Sequence, residues 1–178
     1  YLFNNQDNLI QTCINEVDSK LIVKPEIIIY GKQARQHRNV GFFSDTSIGY
    51  HYSGKLAKSI PLTPNLLILL NKINLMFNSE FNGILINKYS NGEDNIGAHS
   101  DDEKNLDDVG VIALSYGATR IFRIRDKKTK KIIQDIPTIS GKIIHMGGDF
   151  QREFLHEIPM QKKIKETRYS FTFRKHKL

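Results

Sequence analysis

His99 and Asp101 stand two residues apart, in a stretch that runs from Asn87-Lys88-Tyr89 to Asp101-Asp102-Glu103. On an extended strand, residues i and i+2 project from the same face, so one imidazole and one carboxylate reach a single cation without unusual backbone geometry. That is half of a metal site. Two neutral imidazoles and one carboxylate on one face of a ferrous ion leave its other positions open for a chelating cosubstrate and dioxygen, so a second histidine must arrive from elsewhere. A His-x-Asp pair alone is as readily a polar strand end, and the case depends on what converges with it.

Among the other histidines, His37 and His51 lie upstream in polar, aromatic-rich sequence, and His176 belongs to the basic tail Lys175-His176-Lys177. His145, amid Ile143, Ile144 and Met146, reads as a core histidine with its hydrogen bonds satisfied. His156 follows Phe154-Leu155 and precedes Glu157-Ile158-Pro159, at a strand end beyond the turn Gly147-Gly148-Asp149, and is the candidate distal ligand. A further signal lies in the last strand, where Tyr169, Phe171 and Phe173 share one face and Arg168, Ser170, Thr172 and Arg174 the other. A half-buried strand would send that polar face to water. If it instead faces a barrel interior, two guanidiniums there are costly unless a dianion meets them, and a small dicarboxylate suits the planar fork of arginine.

These groups must be held by the elements around them. Leu9, Ile10, Cys13, Ile14 and Val17 fall on one helical face over residues 5–17 and predict an amphipathic helix covering a sheet, with Cys13 as core. Thr63-Pro64 gives an N-cap and first-turn proline for a buried supporting helix running to about Asn78. From Gly83 onward, short alternating segments at 84–89, 111–116, 120–125, 131–136, 142–146 and 167–174 predict strands, with Asp126 to Lys130 as a hairpin loop. Two helices followed by many short strands predict an α+β, mainly β chain with a jelly-roll core, a double-stranded β-helix, rather than a doubly wound sheet. We expect one domain over residues 1–178: helices and a recognition segment over 1–82, the jelly-roll core over 83–178.

The segment between Tyr30 and Lys55 interleaves aromatic and basic residues. Glu26 to Tyr30 reads as a strand and Gly31 to Arg38 as an exposed basic loop; Phe42, Phe43, Tyr50 and Tyr52 follow. Aromatic faces stack on bases while cations track phosphates, which suits a nucleic-acid surface; aromatics filling a core beneath a loop is the alternative. The net charge of +7 fits a polyanionic partner, and abundant Lys, Asn and Ile also fit a biased coding composition. With 178 residues, 39% hydrophobic and 25% charged, the chain is an ordinary globular domain rather than a disordered one. No apolar run approaches the roughly 20 residues of a membrane helix and no signal peptide is visible, so we expect no membrane partner. The single cysteine fits a reducing, intracellular setting, either nuclear or cytoplasmic. Because it opens on Tyr1 without an initiating Met, the chain reads as a fragment.

Taken together, Asn87-x-Tyr89, His99-x-Asp101-x-Glu103, His156 and Arg168-x-Ser170-x-Thr172-x-Arg174 resemble the AlkB family of iron(II)- and 2-oxoglutarate-dependent dioxygenases. The resemblance runs from about Tyr30 to the C-terminus. It is nearest to the animal nuclear DNA-repair homologues, through Tyr30-Gly31-Lys32, Tyr50-x-Tyr52-Ser53-Gly54 and His99-Ser100-Asp101-Asp102-Glu103. It implies that His99, Asp101 and His156 hold iron, that Arg168 with Tyr89 and Asn87 binds the distal carboxylate of 2-oxoglutarate, and that Arg174 pairs with the carboxylate beside the metal. Ser170, where the family usually has Asn, stands at the same cosubstrate site with a shorter side chain. The resemblance further implies a flipped methylated base between Tyr52 and His99, with Tyr50, Asp102 and Glu103 shaping its polar edge. Lys32 and Arg35 would lie along the nucleic acid, and Tyr30 would be the wedge that fills the vacated stack. The expected activity is demethylation of 1-methyladenine and 3-methylcytosine in DNA by a monomer. RNA demethylation, protein hydroxylation by the same superfamily and a non-catalytic nucleic-acid-binding module are the alternatives.

Overall fold

A computed structural model describes residues 1–29, 31–52, 55–101, 103 and 105–177. The chain begins with helix α1 (Asp7–Val17) and a 3-10 turn (Asp18–Lys20). Short strands β1 (Glu26–Ile29), β2 (Lys32–Arg35), β3 (Asn39–Phe43), β4 (Gly49–Tyr52) and β5 (Lys55–Lys58) follow, then helix α2 (Pro64–Phe77). The remainder is β6 (Gly83–Tyr89), β7 (Ile96–His99), β8 (Val111–Gly117), β9 (Arg120–Asp126), β10 (Ile132–Thr138), β11 (Ile143–Met146), the one-turn α3 (Phe150–Glu153), β12 (Phe154–Ile158) and β13 (Arg168–Arg174).

Local sequence explains both long helices. The backbone of Asn5 is left-handed at φ 57°, so α1 opens two residues beyond it, with Asp7 in the first turn where the helix dipole favours a carboxylate. In α2 the Thr63 hydroxyl accepts from the Leu66 N–H, Pro64 sits at the first turn and Asn78 ends the helix in the left-handed region at φ 46°. Ile10, Cys13, Ile14 and Val17 of α1 and Leu66, Leu69, Leu70 and Ile73 of α2 are buried. They meet Tyr169, Phe171 and Phe173 of β13, and together these residues form the larger apolar core.

Two antiparallel sheets make up the jelly roll. The larger runs β11-β8-β13-β6-β3 and the smaller β10-β9-β12-β7. All seven residues of β13 are buried, because its apolar face meets the helices and its polar face meets the space between the sheets. A smaller apolar cluster containing Ile96, Val111, Phe122, Met146 and Ile158 fills the inter-sheet layer beside that space. The polar face of the last strand therefore points inward, as the dicarboxylate reading requires.

Two-stranded ribbons β1-β2 and β4-β5 stand apart from both sheets. Half of the basic stretch 31–38, expected as a loop, is instead the second strand of the first ribbon, registered from Ile29↔Lys32 to Glu26↔Arg35. The sequence Lys32-Gln33-Ala34-Arg35 lacks an apolar alternation because the ribbon has no buried face at those positions: Lys32, Gln33 and Arg35 are exposed. Gly49 of the second ribbon approaches its partner strand so closely that a Cβ there would lie 2.3 Å from the Ala57 carbonyl oxygen. Tyr30 and Asp102 lie outside the described residues. Among the described residues, no helix is long and apolar enough to cross a membrane.

Candidate active site

The two histidines needed for a metal site are cross-strand neighbours. β12 pairs antiparallel with β7 so that His156 stands opposite His99, and the imidazole centroids lie 4.3 Å apart. Asp101, two residues beyond His99, turns its carboxylate back to them: Oδ1 lies 3.9 Å from His99 Nε2 and Oδ2 lies 3.7 Å from His156 Nε2. Ligating atoms from all three fall within 4.8 Å of one another. The ring of His99 is oriented by Nδ1–H donation to the Gly97 carbonyl at 2.8 Å, which leaves the Nε2 lone pair for a ligand. Asp101 is placed by its backbone N–H, which donates to Gln151 Oε1 at 2.8 Å. His156 stacks on Phe122 with ring centroids 5.3 Å apart.

The electrostatics suit a cation. Burial lowers both imidazoles below their usual value, His156 to about 3, so each is a neutral donor near pH 7. Burial alone would raise the Asp101 carboxyl, but the Arg174 guanidinium and the two imidazoles outweigh it and hold it at about 2. Two neutral nitrogens and one carboxylate are the donor set of a non-haem iron(II) centre. Asp101 Oδ2 and His156 Nδ1 are buried without a hydrogen-bond partner among the described residues. For the carboxylate oxygen, which faces the imidazole nitrogen, a metal ion is the natural partner.

A row of small polar residues crosses the larger sheet beside this cluster, with Asn87 of β6 opposite Ser170 of β13 and Ser170 opposite Ser115 of β8. Arg168 lies at one end of the β13 face and Arg174 at the other, about 20 Å apart by strand rise, so their side chains must lean inward to share one small ligand. Arg168 Nη2 donates to Ser115 Oγ at 2.8 Å, and its guanidinium lies 5.3 Å from the Tyr89 ring centroid. Its Nε and Nη1, and Nε of Arg174, are buried with no partner among the described residues. Burial, with Arg120 nearby, pushes Arg168 down to about 10. A carboxylate placed there would satisfy these atoms and reverse that shift. Arg174 Nη2 lies 3.5 Å from Asp101 Oδ1, and Nη1 donates to Glu103. The same inter-sheet cavity is lined by His99, Asp101, His156, Asn87, Tyr89, Arg168, Ser170 and Arg174. Its residues thus fit iron(II) at one end and a dicarboxylate across the floor.

Tyr50, His51, Tyr52, His99, Asp101 and Glu103 line a second cavity that adjoins this one through Asp101. Tyr50 is buried between Phe42 and Tyr52, its ring centroid 5.0 Å from the Arg174 guanidinium, and burial raises its phenol. Tyr52 is half-buried with its ring 6.3 Å from His99 at 87°, so the parallel pair expected around a flipped base is not formed; one ring would have to turn. Glu103 spends its carboxylate on Arg174 and His176, and Lys32 and Arg35 lie exposed on the first ribbon.

Other expectations are corrected. His145 is exposed, with Nε2 3.3 Å from the Val109 carbonyl, because β11 turns that side chain away from the core. His176, read only as part of the basic tail, is 2% exposed and hydrogen-bonded at both ring nitrogens. Arg38, passed over in the basic stretch, is 2% exposed, lines the inter-sheet cavity and donates from Nε to Asn87 Oδ1 at 2.8 Å. Its neighbours Gln36, His37 and Asn39 give no alternation to single it out. For His176 a signal existed: Arg168, Ser170, Thr172 and Arg174 share a face at every second residue, and His176 continues the series.

Comparison with known proteins places this arrangement. A family model described as "2OG-Fe(II) oxygenase superfamily" matches residues 3–174. The "DNA oxidative demethylase ALKBH2" of Bos taurus is 29% identical over 177 residues, covering 95% of this chain and 64% of that protein. The "Alpha-ketoglutarate-dependent dioxygenase alkB homolog 3" of Bos taurus is 37% identical over 120 residues, covering 62% of this chain and 42% of that protein. The chain thus spans less than two thirds of either relative. A solved structure, "The structure of OsALKBH1", shares the fold with a TM-score of 0.62 at 15% identity, covering 98% of this chain and 94% of that one. The chain belongs to the 2OG-Fe(II) oxygenase superfamily, whose cofactors are iron(II) and 2-oxoglutarate, and within it stands close to the animal AlkB homologues.

Proposed function

We propose that this chain carries out oxidative demethylation of N-methylated bases in DNA, with 1-methyladenine and 3-methylcytosine as substrates. The observation that carries the reading is the meeting of the His99, Asp101 and His156 donors with two buried arginines, each with a nitrogen lacking a partner among the described residues, in one cavity beside a second cavity walled by tyrosines. Similarity to the bovine DNA oxidative demethylase supports the choice of substrate class.

His99, Asp101 and His156 would hold the ion on one face. Bound iron(II), with 2-oxoglutarate and dioxygen, supplies the oxidising power that turns an N-methyl group into N-hydroxymethyl. Arg168, beside Ser115 and Tyr89, would fix the far carboxylate of the cosubstrate by charge-assisted hydrogen bonds. Asn87, already held by Arg38, and Ser170 form the polar floor between the arginines. Arg174, kept protonated by Glu103 and Asp101 against the effect of burial, would meet the carboxylate nearer the ion. Ile96, Phe122, Met146 and Ile158 would exclude water from the reacting methyl group. Tyr52 and His99 would flank the extruded base once a ring turns, Tyr50 and Glu103 would border its polar edge, and Lys32 and Arg35 would meet phosphates. The hydroxymethyl product then loses formaldehyde as its C–N bond breaks and the base nitrogen is restored. We also assign the work to a single domain, with the ribbons of the first 82 residues reading the base and the sheets of 83–178 holding the cofactors. We take a monomer as the working unit.

The test is formaldehyde release, dependent on iron and 2-oxoglutarate, from a panel of methylated single- and double-stranded DNA and RNA oligonucleotides. DNA should be the preferred substrate. His99→Ala and Asp101→Ala should each lower release by at least about 1,000-fold, the scale of a lost electrostatic anchor at a reacting centre, while oligonucleotide binding persists. Turnover retained in both variants rejects the metal assignment, and turnover confined to RNA rejects the substrate.

A further inference from the structure

Directly after the last strand the chain folds back, and His176 becomes part of the wall behind the site. It is 2% exposed, and its ring stacks on Phe42 with centroids 5.1 Å apart and planes at 23°. Its Nε2 lies 2.8 Å from Glu103 Oε2, and its Nδ1 lies 2.7 Å from the hydroxyl oxygen of Ser47. Both contacts are satisfied when Nε2–H donates to the carboxylate and the Ser47 hydroxyl donates to Nδ1. Backbone bonds pin the residue as well: its N–H donates to Asn82 Oδ1, and its carbonyl accepts from Asn82 Nδ2. A histidine fixed on every side cannot move to accommodate Glu103. Glu103 must conform to it.

Glu103 is the element being placed. Its side chain is 4% exposed, so an unheld carboxylate there would carry a large desolvation cost. One oxygen takes His176 and the other takes Nη1 of Arg174. Arg174 in turn has Nη2 toward Asp101 and Nε without a partner among the described residues. With the Nη1 corner anchored, the guanidinium cannot rotate about its stem, and its Nε, without a partner among the described residues, is held in the wall of the cavity that Arg174 lines.

We propose that His176 is a positioning residue for cosubstrate binding: backed by Ser47, it fixes Glu103, and Glu103 fixes the plane in which Arg174 offers its free edge to the carboxylate of 2-oxoglutarate. This rests on the role given to Arg174 above. The His176 ring is not among the residues that line either cavity, and it acts through two hydrogen bonds in series. Substitutions at His176 therefore change how well the cosubstrate is held and leave the metal ligands as they were.

The test measures binding without turnover, using the full chain loaded with manganese(II) as a redox-silent stand-in for iron and titrated calorimetrically with 2-oxoglutarate. His176→Phe keeps the stack on Phe42 and removes both hydrogen bonds; His176→Gln restores a donor toward Glu103; Ser47→Ala removes one hydroxyl from the back of the relay. The 2-oxoglutarate Kd should rise about tenfold in His176→Phe, as expected for losing a hydrogen bond to a charged group, and about threefold in Ser47→Ala. It should return to within about twofold of wild type in His176→Gln, with the manganese Kd unchanged throughout. Thermal midpoints measured alongside show whether each variant folds, and Ser47→Ala and His176→Gln carry the test should His176→Phe fail to. Wild-type affinity in Ser47→Ala and His176→Phe, or equal losses in the Phe and Gln variants, would overturn the role of His176 alone. Wild-type protein that binds manganese but not 2-oxoglutarate would overturn the cosubstrate reading, and this inference with it.

Discussion

The guanidinium of Arg168 is 2% exposed, with one donor on Ser115 and two nitrogens unpartnered among the described residues. A charge buried in that way opposes folding until an anion joins it, because desolvation is incompletely offset. Function and stability should therefore separate here. Arg168→Met should raise the thermal midpoint of the cofactor-free protein by a few degrees, corresponding to about 1 kcal/mol or more. The same change should weaken 2-oxoglutarate at least about 30-fold, the loss from truncating one member of a buried charge pair. Calorimetry with and without cosubstrate checks both halves, and a midpoint lowered in the cofactor-free protein would contradict the first. At this scale the sequence was legible where chemistry came as a pattern. His99-x-Asp101 and the two arginines at matching parity on one strand could be read directly, and the geometry brings them together. Arg38 was not legible, since an isolated arginine in a basic stretch carries no period. Tyr52 was legible in type but not in ring orientation, which packing against Tyr50 and Arg38 decides.

Elements position these residues through registers that no local signal encodes. The pairing of His156 with His99 depends on β12 lying beside β7, although 57 residues separate them, a distance in sequence over which periodicity says nothing. The helices were legible because capping and a buried face are both local: Thr63-Pro64 at one end of α2 and Asn78 at the other sufficed. Strand β1 was legible as an apolar run, but its partner β2 was not, because the exposed Lys32, Gln33 and Arg35 give no alternating face. A polar contact adds to the apolar packing between the helical layer and the catalytic sheet. Asp18 accepts from Lys88 Nζ at 2.8 and 2.9 Å and from the Tyr169 hydroxyl at 2.6 Å, linking the end of α1 to β6 and β13. Partial burial would raise its carboxyl, but those hydrogen bonds outweigh burial and lower it. A carboxylate lowered on folding contributes stability above its unfolded value of about 3.9, and that contribution disappears as pH falls through the lower folded value. Asp18→Asn should thus cost about 1 kcal/mol or less at neutral pH, discounted for a side chain 40% exposed, and flatten the acid limb of the stability profile below about pH 4. Denaturant unfolding across that range checks it, and an unchanged acid limb would contradict the linkage.

Across the whole molecule, the chain gathers segments from both halves of its sequence around one cavity. Arg38 and Asn87 come from one edge of the larger sheet, Ser115 and Arg168 from its middle, and His99 and His156 from the facing sheet. The excess of positive charge, with Lys32 and Arg35 exposed on a projecting ribbon, suits a polyanion brought to the mouth of that cavity. The helix-backed double sheet was legible as a class from the spacing of strands, and the two-stranded ribbons beside it were not. The order of strands within each sheet was not, because it follows from which polar faces must meet across the cavity.

The most direct measurement is an anaerobic titration of the purified chain with iron(II) and then 2-oxoglutarate, followed by the visible charge-transfer absorption of the chelate. One ion and one cosubstrate per chain are predicted. His156→Ala should lose the ion, and Arg168→Met should keep the ion while losing the cosubstrate band. A chain that develops the band equally well without Arg168, or binds iron unaltered without His156, would contradict a single site shared by ion and dianion.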